Sequence, residues 1–131
     1  MYSHEQLISD VGNTLGLPLE FDENEQCMLQ FDDCFIVSIK SNGDVWLLTG
    51  ILLNSLPPAC GEDFWRNTMA INVELAIHNA GQLSYSDEDS ALLLMYNIIE
   101  LNNAHSVITH LEKFVNQQEQ LIERLQRYSS Y

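Results

Sequence analysis

Between Leu7 and Leu15 the apolar residues Leu7, Ile8, Val11 and Leu15 recur three and four apart, the spacing of one helical face. Ser3 stands before them as an N-cap with Gln6 three residues on, the pattern of a capping box. Gly16 supplies a C-terminal stop, and Pro18 prevents continuation. The period then falls to two. "PLEFD" reads as a short strand, and after a turn at Asp22–Glu25 come "QCMLQF" and "CFIVSIK", separated by Asp32–Asp33. In the first of these, Cys27, Leu29 and Phe31 share one strand face and leave Gln26, Met28 and Gln30 on the other. "SNGD" (Ser41–Asp44) predicts a hairpin, because Asn-Gly readily takes positive φ at both turn positions. "VWLLTGILL" (Val45–Leu53) is apolar on both faces, so it is either a central strand covered twice or one that meets a partner.

A Pro-punctuated loop leads into a second helix, Glu62 to Asn79. Phe64, Thr68, Ile71 and Leu75 form one stripe on it; Trp65, Met69, Val73 and Ile77 form another. Two apolar stripes suggest burial on more than one side. Two strands follow, "QLSYS" and "ALLLMYNI", hinged at Asp87–Asp89. A final helix runs from Asn103 to Tyr128, with Val107, Leu111, Phe114, Gln118, Leu121, Leu125 and Tyr128 alternating four and three apart. Gln118 is the one polar break in that series. A helix packed along its own sheet is the expected arrangement, with a coiled coil as the alternative. The order is α-β-β-β-α-β-β-α with one short extra strand. It predicts a single α+β domain over residues 1–131, an antiparallel twisted β-sheet with three helices.

Composition changes this picture in one respect. The 131 residues suffice for one core, but 19 acids against five lysines and arginines give a net charge of −14. Nucleic acids and anionic membranes are therefore poor partners. The acids are expected at turns and on outer strand faces, where they would solubilise a protein that exposes apolar ground. No basic segment followed by an apolar run opens the chain, and no stretch approaches a membrane span, so neither signal-peptide export nor a transmembrane helix is expected. Three cysteines without a C-x-x-C fit reduced, mostly buried thiols.

Little in the chain advertises catalysis. Asp22–Asp33 has the length of an EF-hand loop, but Cys27 occupies the place that needs glycine and Asp33 that of the bidentate glutamate. A strand coated by acids fits better than a calcium site. His105 and His110 are five apart and do not share a metal-binding face; His4 and His78 sit at other helix ends. Gly-x-Ser-x-Gly, His-Glu-x-x-His and phosphate-loop motifs do not occur. No catalytic residue, metal or cofactor is expected.

The ordered motifs "LGLPLEFDENEQCMLQFDDCFIVSIKSNGDVWLLTGIL", a following "LP", a helix rich in Asn and Ala, and "LSYSDEDSALLLMYNI" before a long helix resemble the class I type III secretion chaperones (the Tir chaperone, CesT-like family). The resemblance runs from Leu7 to Gln126. It implies a homodimer of α-β-β-β-α-β-β-α chains in the bacterial cytoplasm that wraps the N-terminal segment of a secreted effector and keeps it competent for export. Its partners would be the effector, a second copy, and the export ATPase as a further candidate. The family's first turn carries a glycine near Glu25, absent here; Asn24 is expected to take the left-handed conformation instead.

Two sets of residues follow as expectations. The helix 1 stripe and the two-faced strand, together with the resemblance, put the effector site at Leu7, Ile8, Val11, Leu29, Phe31, Ile36, Trp46 and Leu48. The second stripe of helix 2 puts the dimer interface at Trp65, Met69, Asn72 and Val73. Two rival classes remain: a small acidic ligand-binding domain or enzyme of unknown substrate, and a structural module dimerising through the final helix.

Overall fold

The computed structural model describes residues 3–31, 35–56 and 61–128. Helix α1 (His4–Leu15) begins at Ser3, whose Oγ accepts from the Gln6 N–H at 3.1 Å. Only half of the capping box forms, because the Gln6 amide turns forward to Asp10. Gly16 closes the helix with φ +77°. Gly12 is required for a different reason: a Cβ there would stand 2.4 Å from the Leu17 carbonyl oxygen, where the chain folds back on the helix. The expected "PLEFD" strand does not form. Instead the Asp22 carboxylate accepts from the N–H groups of Asn24 and Gln26 and organises the turn. Glu25, not Asn24, takes the positive φ, at 61°.

Five strands follow, β1 (Gln26–Phe31), β2 (Phe35–Asn42), β3 (Val45–Leu53), β4 (Gln82–Ser86) and β5 (Ala91–Ile98), in one antiparallel sheet of order β1-β2-β3-β5-β4. The β2–β3 hairpin turns one residue later than "SNGD" predicts. Asn42 pairs with Val45, and Gly43 takes the positive φ while Asn42 does not. Helix α2 (Glu62–Ile77) ends two residues short of the expected Asn79, and α3 (Ala104–Tyr128) begins after Asn103, whose Oδ1 accepts from the Ser106 N–H. Cys34 and Cys60 lie outside the described residues.

All three helices contribute to one core on one side of the sheet. It takes Cys27 and Leu29 from β1, Val37 and Ile39 from β2, Trp46 and Leu48 from β3, and Leu92, Leu94 and Ile98 from β5. Helix α3 lies along the sheet, touching β2, β3 and β5, and α1 packs against α3. The four-three series from Val107 to Leu125 is its buried face, which decides for the helix-on-sheet arrangement over the coiled coil within this chain. The Arg124 guanidinium bonds both oxygens of Glu74, tying α3 to α2 and holding that carboxyl below its usual range.

Gln118, the polar break, is buried over the glycine of the central strand. Its Nε2 donates to the Ile51 carbonyl at 3.1 Å, and a Cβ on Gly50 would stand 2.8 Å from its amide. Gly50→Ala should therefore cost about 1–3 kcal/mol by overpacking. The loss should shrink in a Gln118→Ala background, as coupled neighbours require. Urea denaturation of the four-member cycle measures this; additive losses would separate the two residues.

Candidate functional site

Strand alternation divides the sheet into two unlike faces. The residues between the inward-facing ones point away from the helices: Met28 on β1, Ile36 and Ser38 on β2, Leu47, Thr49 and Ile51 on β3, Leu93 and Met95 on β5. Register aligns them in rows, such as Met28, Ser38, Thr49 and Met95 across four strands. Met28 is 68% exposed, Ile36 42% and Ile51 39%. Apolar side chains in this number on an uncovered face form a contiguous patch of the kind that marks an interaction site.

The charge pattern of this face corrects an expectation. Among the described residues no acid lies on it, and Lys40 is its one charged strand residue. The described acids stand instead in turns, loops and helices. Asp22 caps the first turn, Asp44 sits in the hairpin, and Asp87–Asp89 span the β4–β5 turn, where the Asp89 N–H donates to Ser86 Oγ. Among the described residues, the coat surrounds the sheet and leaves its bare face without negative charge.

Six of the eight residues expected at the effector site face the other way. Leu7, Ile8, Val11, Leu29, Trp46 and Leu48 are at most 2% exposed and form the core. The physical reason is that α1's narrow stripe is used up against α3, and the Trp46/Leu48 side of β3 is the side that the helices cover. Trp46 lies edge-on to both His4 and Phe21, and His4 Nδ1 meets Ser41 Oγ at 2.7 Å. Phe31 is half-buried against the core, and Ile36 alone of the eight stands on the bare face. The residues that sequence reasoning passed over, Met28, Leu47, Ile51 and Met95, share Ile36's side. Burial pushes the Cys27 thiol up, so it is a core group and not a reactive one.

The second stripe of α2 is exposed as a line. Met69, Val73 and Ile77 are 56%, 60% and 73% accessible, and Trp65 continues the line half-buried between Phe64 and Tyr85. Asn72, grouped with them in the sequence reading, has a task within its own chain: its Oδ1 accepts from the Leu83 N–H at 2.6 Å, on the outer side of edge strand β4. That bond blunts an otherwise open edge. Among the described residues no helix is long and apolar enough to cross a membrane.

A sheet with one apolar side armoured by helices and the other left bare defines a protein that binds other chains by surface contact. The model of the Tir chaperone protein (CesT) family matches residues 6–122, and the chain belongs to that family. Solved structures share its fold. A chain of the HopA1–SchA chaperone–effector complex superposes with a TM-score of 0.77 at 15% identity, covering 92% of this chain and 93% of the other. One from the ExsC–ExsE complex gives 0.77 at 18%, with 92% of each chain covered. One from the complex of the Yersinia pestis type III secretion chaperone SycH with a stable YscM2 fragment gives 0.68 at 16%, covering 91% and 99%.

Proposed function

We infer that this protein is a class I type III secretion chaperone of the bacterial cytoplasm, without enzymatic activity, which holds the N-terminal segment of a secreted effector in an extended, export-competent state. The observation that carries the reading is the apolar face of the sheet, free of acids among the described residues, on a chain of this family. Extended chain can lie across such a face, seating apolar side chains between Met28, Ile36, Leu47, Ile51 and Met95, while Lys40 receives a client carboxylate. The whole chain acts as one domain, and its working form is a homodimer joined along α2, with Trp65, Met69 and Val73 at the contact. Asn72 supports that interface from within by fixing β4 to α2. The export ATPase is a further partner of the loaded complex.

Co-expression with N-terminal segments of secreted effectors from the same bacterium should yield a stable complex with two copies of this chain. Full burial of Met69 and Val73 contributes roughly 1.5–3 kcal/mol each, so Met69→Asp with Val73→Asp should split the dimer without lowering the melting temperature of the monomer fold. Light scattering checks both. A monomeric wild type at micromolar concentration, or failure of every segment to bind, would overturn the reading.

A further inference from the structure

The turn out of α2 and one side of α3 enclose a cleft of about 360 Å³. Asn79 at φ +51° and Gly81 at φ +117° reverse the chain after α2 and bring His78, Asn79 and Ala80 to one wall. His110, Lys113, Gln117 and Gln120 supply another, because residues three and four apart line one side of a helix. Asn116 stands beside them, Tyr96 enters from β5, and buried Phe114 closes the bottom. Pockets for small ligands run from roughly 300 to 1,000 Å³, so this one suits a small molecule.

Its lining reverses the charge of the whole protein. Among the described residues no acid lines the cleft, in a chain with 19 acids and a net charge of −14. Lys113, His78 and His110 do line it. Arg66 and Arg124 are paired with acids, whereas Lys113 makes no ion pair among the described residues. The neighbouring carboxylates are engaged elsewhere. Glu74, which feels His78, bonds Arg124 through both oxygens. Glu100 stands 3.9 Å from His110 Nε2, on the wall of a separate cleft. Tyr96 Oη meets His110 Nδ1 at 3.1 Å, so that ring is held in place as a wall and Lys113 is the fixed charge. The side-chain amides of Asn79, Asn116, Gln117 and Gln120 make no hydrogen bond among the described residues. Each keeps donors and an acceptor.

We propose that this cleft binds a small phosphate monoester that carries hydroxyl groups, a sugar phosphate or polyol phosphate. The proposal goes beyond the chaperone reading and does not depend on it. An ammonium is a compact point charge that suits a phosphate, while a carboxylate is met best by the fork of a guanidinium. Among the described residues no arginine lines the cleft. Lys113 takes the phosphoryl oxygens, and His78 adds a donor from the end of α2. The four amides take the hydroxyls, which likewise both donate and accept. The protein's negative charge does not forbid this. Charges are screened over about 8 Å at physiological salt, so a ligand inside the cleft answers to the side chains around it. A polyanion reaching past the rim meets the acids outside, which keeps nucleic acids excluded. Once bound, the ester joins the exit of α2 to the middle of α3.

The test is calorimetric titration of the full-length protein with glycerol 3-phosphate, ribose 5-phosphate and glucose 6-phosphate, beside glucose, glucuronate and inorganic phosphate as controls. At least one ester should bind with a Kd below about 1 mM, at least about tenfold more tightly than each control. The same ester should raise the melting temperature saturably. Lys113 and Asn116 are exposed on α3, so Lys113→Ala and Asn116→Trp should leave the melting temperature of the free protein in place. The first should weaken the ester at least about tenfold, and the second, which fills the cleft, should abolish its binding. Failure of all three esters would overturn the proposal. So would a control that binds as tightly as the best ester, or an ester that binds both variants as it binds wild type. A phosphoserine tripeptide that binds more tightly than any ester would assign the cleft to a modified protein and overturn it as well. Effector binding is read separately and stands or falls on its own.

Discussion

Trp46→Ala is expected to remove about 3–5 kcal/mol of stability, a large part of the 5–15 kcal/mol typical of a domain. Trp46 is wholly buried on β3, the middle strand of the five, with two aromatic neighbours on its edges. Truncation opens a large cavity beneath α1, and the strands on either side hold the backbone too firmly for it to collapse. A small gain offsets this, since the indole Nε1 has no hydrogen-bond partner among the described residues and its removal relieves that debt. The urea midpoint should fall sharply with an unchanged slope. Client binding should disappear only to the extent that the fold does. A variant that melts near wild type yet no longer binds effector would return Trp46 to the binding surface.

The second large effect is the opposite in kind. Ile36→Asp combined with Ile51→Asp should leave melting within about 1–2 kcal/mol of wild type, as surface changes in strands do. Client affinity should fall by at least about a hundredfold, because two apolar contacts worth roughly 1.5–3 kcal/mol each are lost. The new carboxylates would also carry negative charge onto a face where the described residues place none. Calorimetric titration with the effector segment, beside a thermal melt, reads both. Unimpaired binding would move the client elsewhere on the molecule. Together the two variants probe adjacent strands of one sheet from its two sides.

Those two sides also mark how far the sequence could be read. The bounds of β1, β3, β4 and β5 and the element order follow from alternation and turn signals, which are local. Alternation also says that Trp46 and Leu48 share a side and that Leu47 and Ile51 share the other. It does not say which side the helices cover when both are apolar, and choosing Trp46's side for the client placed six core residues at the surface. A discriminating signal was present. Gly50 falls on the Trp46 side, and a glycine inside a strand marks a close approach of another element; Gln118 breaks an apolar series in the longest helix. A gap in the strand and a protruding amide on the helix fit each other, which assigns that side to the interior. The turns failed for a smaller reason. Asn42 and Asn24 were each one residue from the position that adopts positive φ, because cross-strand pairing, not the turn residue's preference, decides where the chain reverses.

With every helix on one side of the sheet, a client seated on the bare face, as proposed, would share almost no groups with those that hold this protein folded. Removing such a client would therefore take nothing from the interior. On that reading the emptied protein would keep its shape and be ready for a new client without refolding.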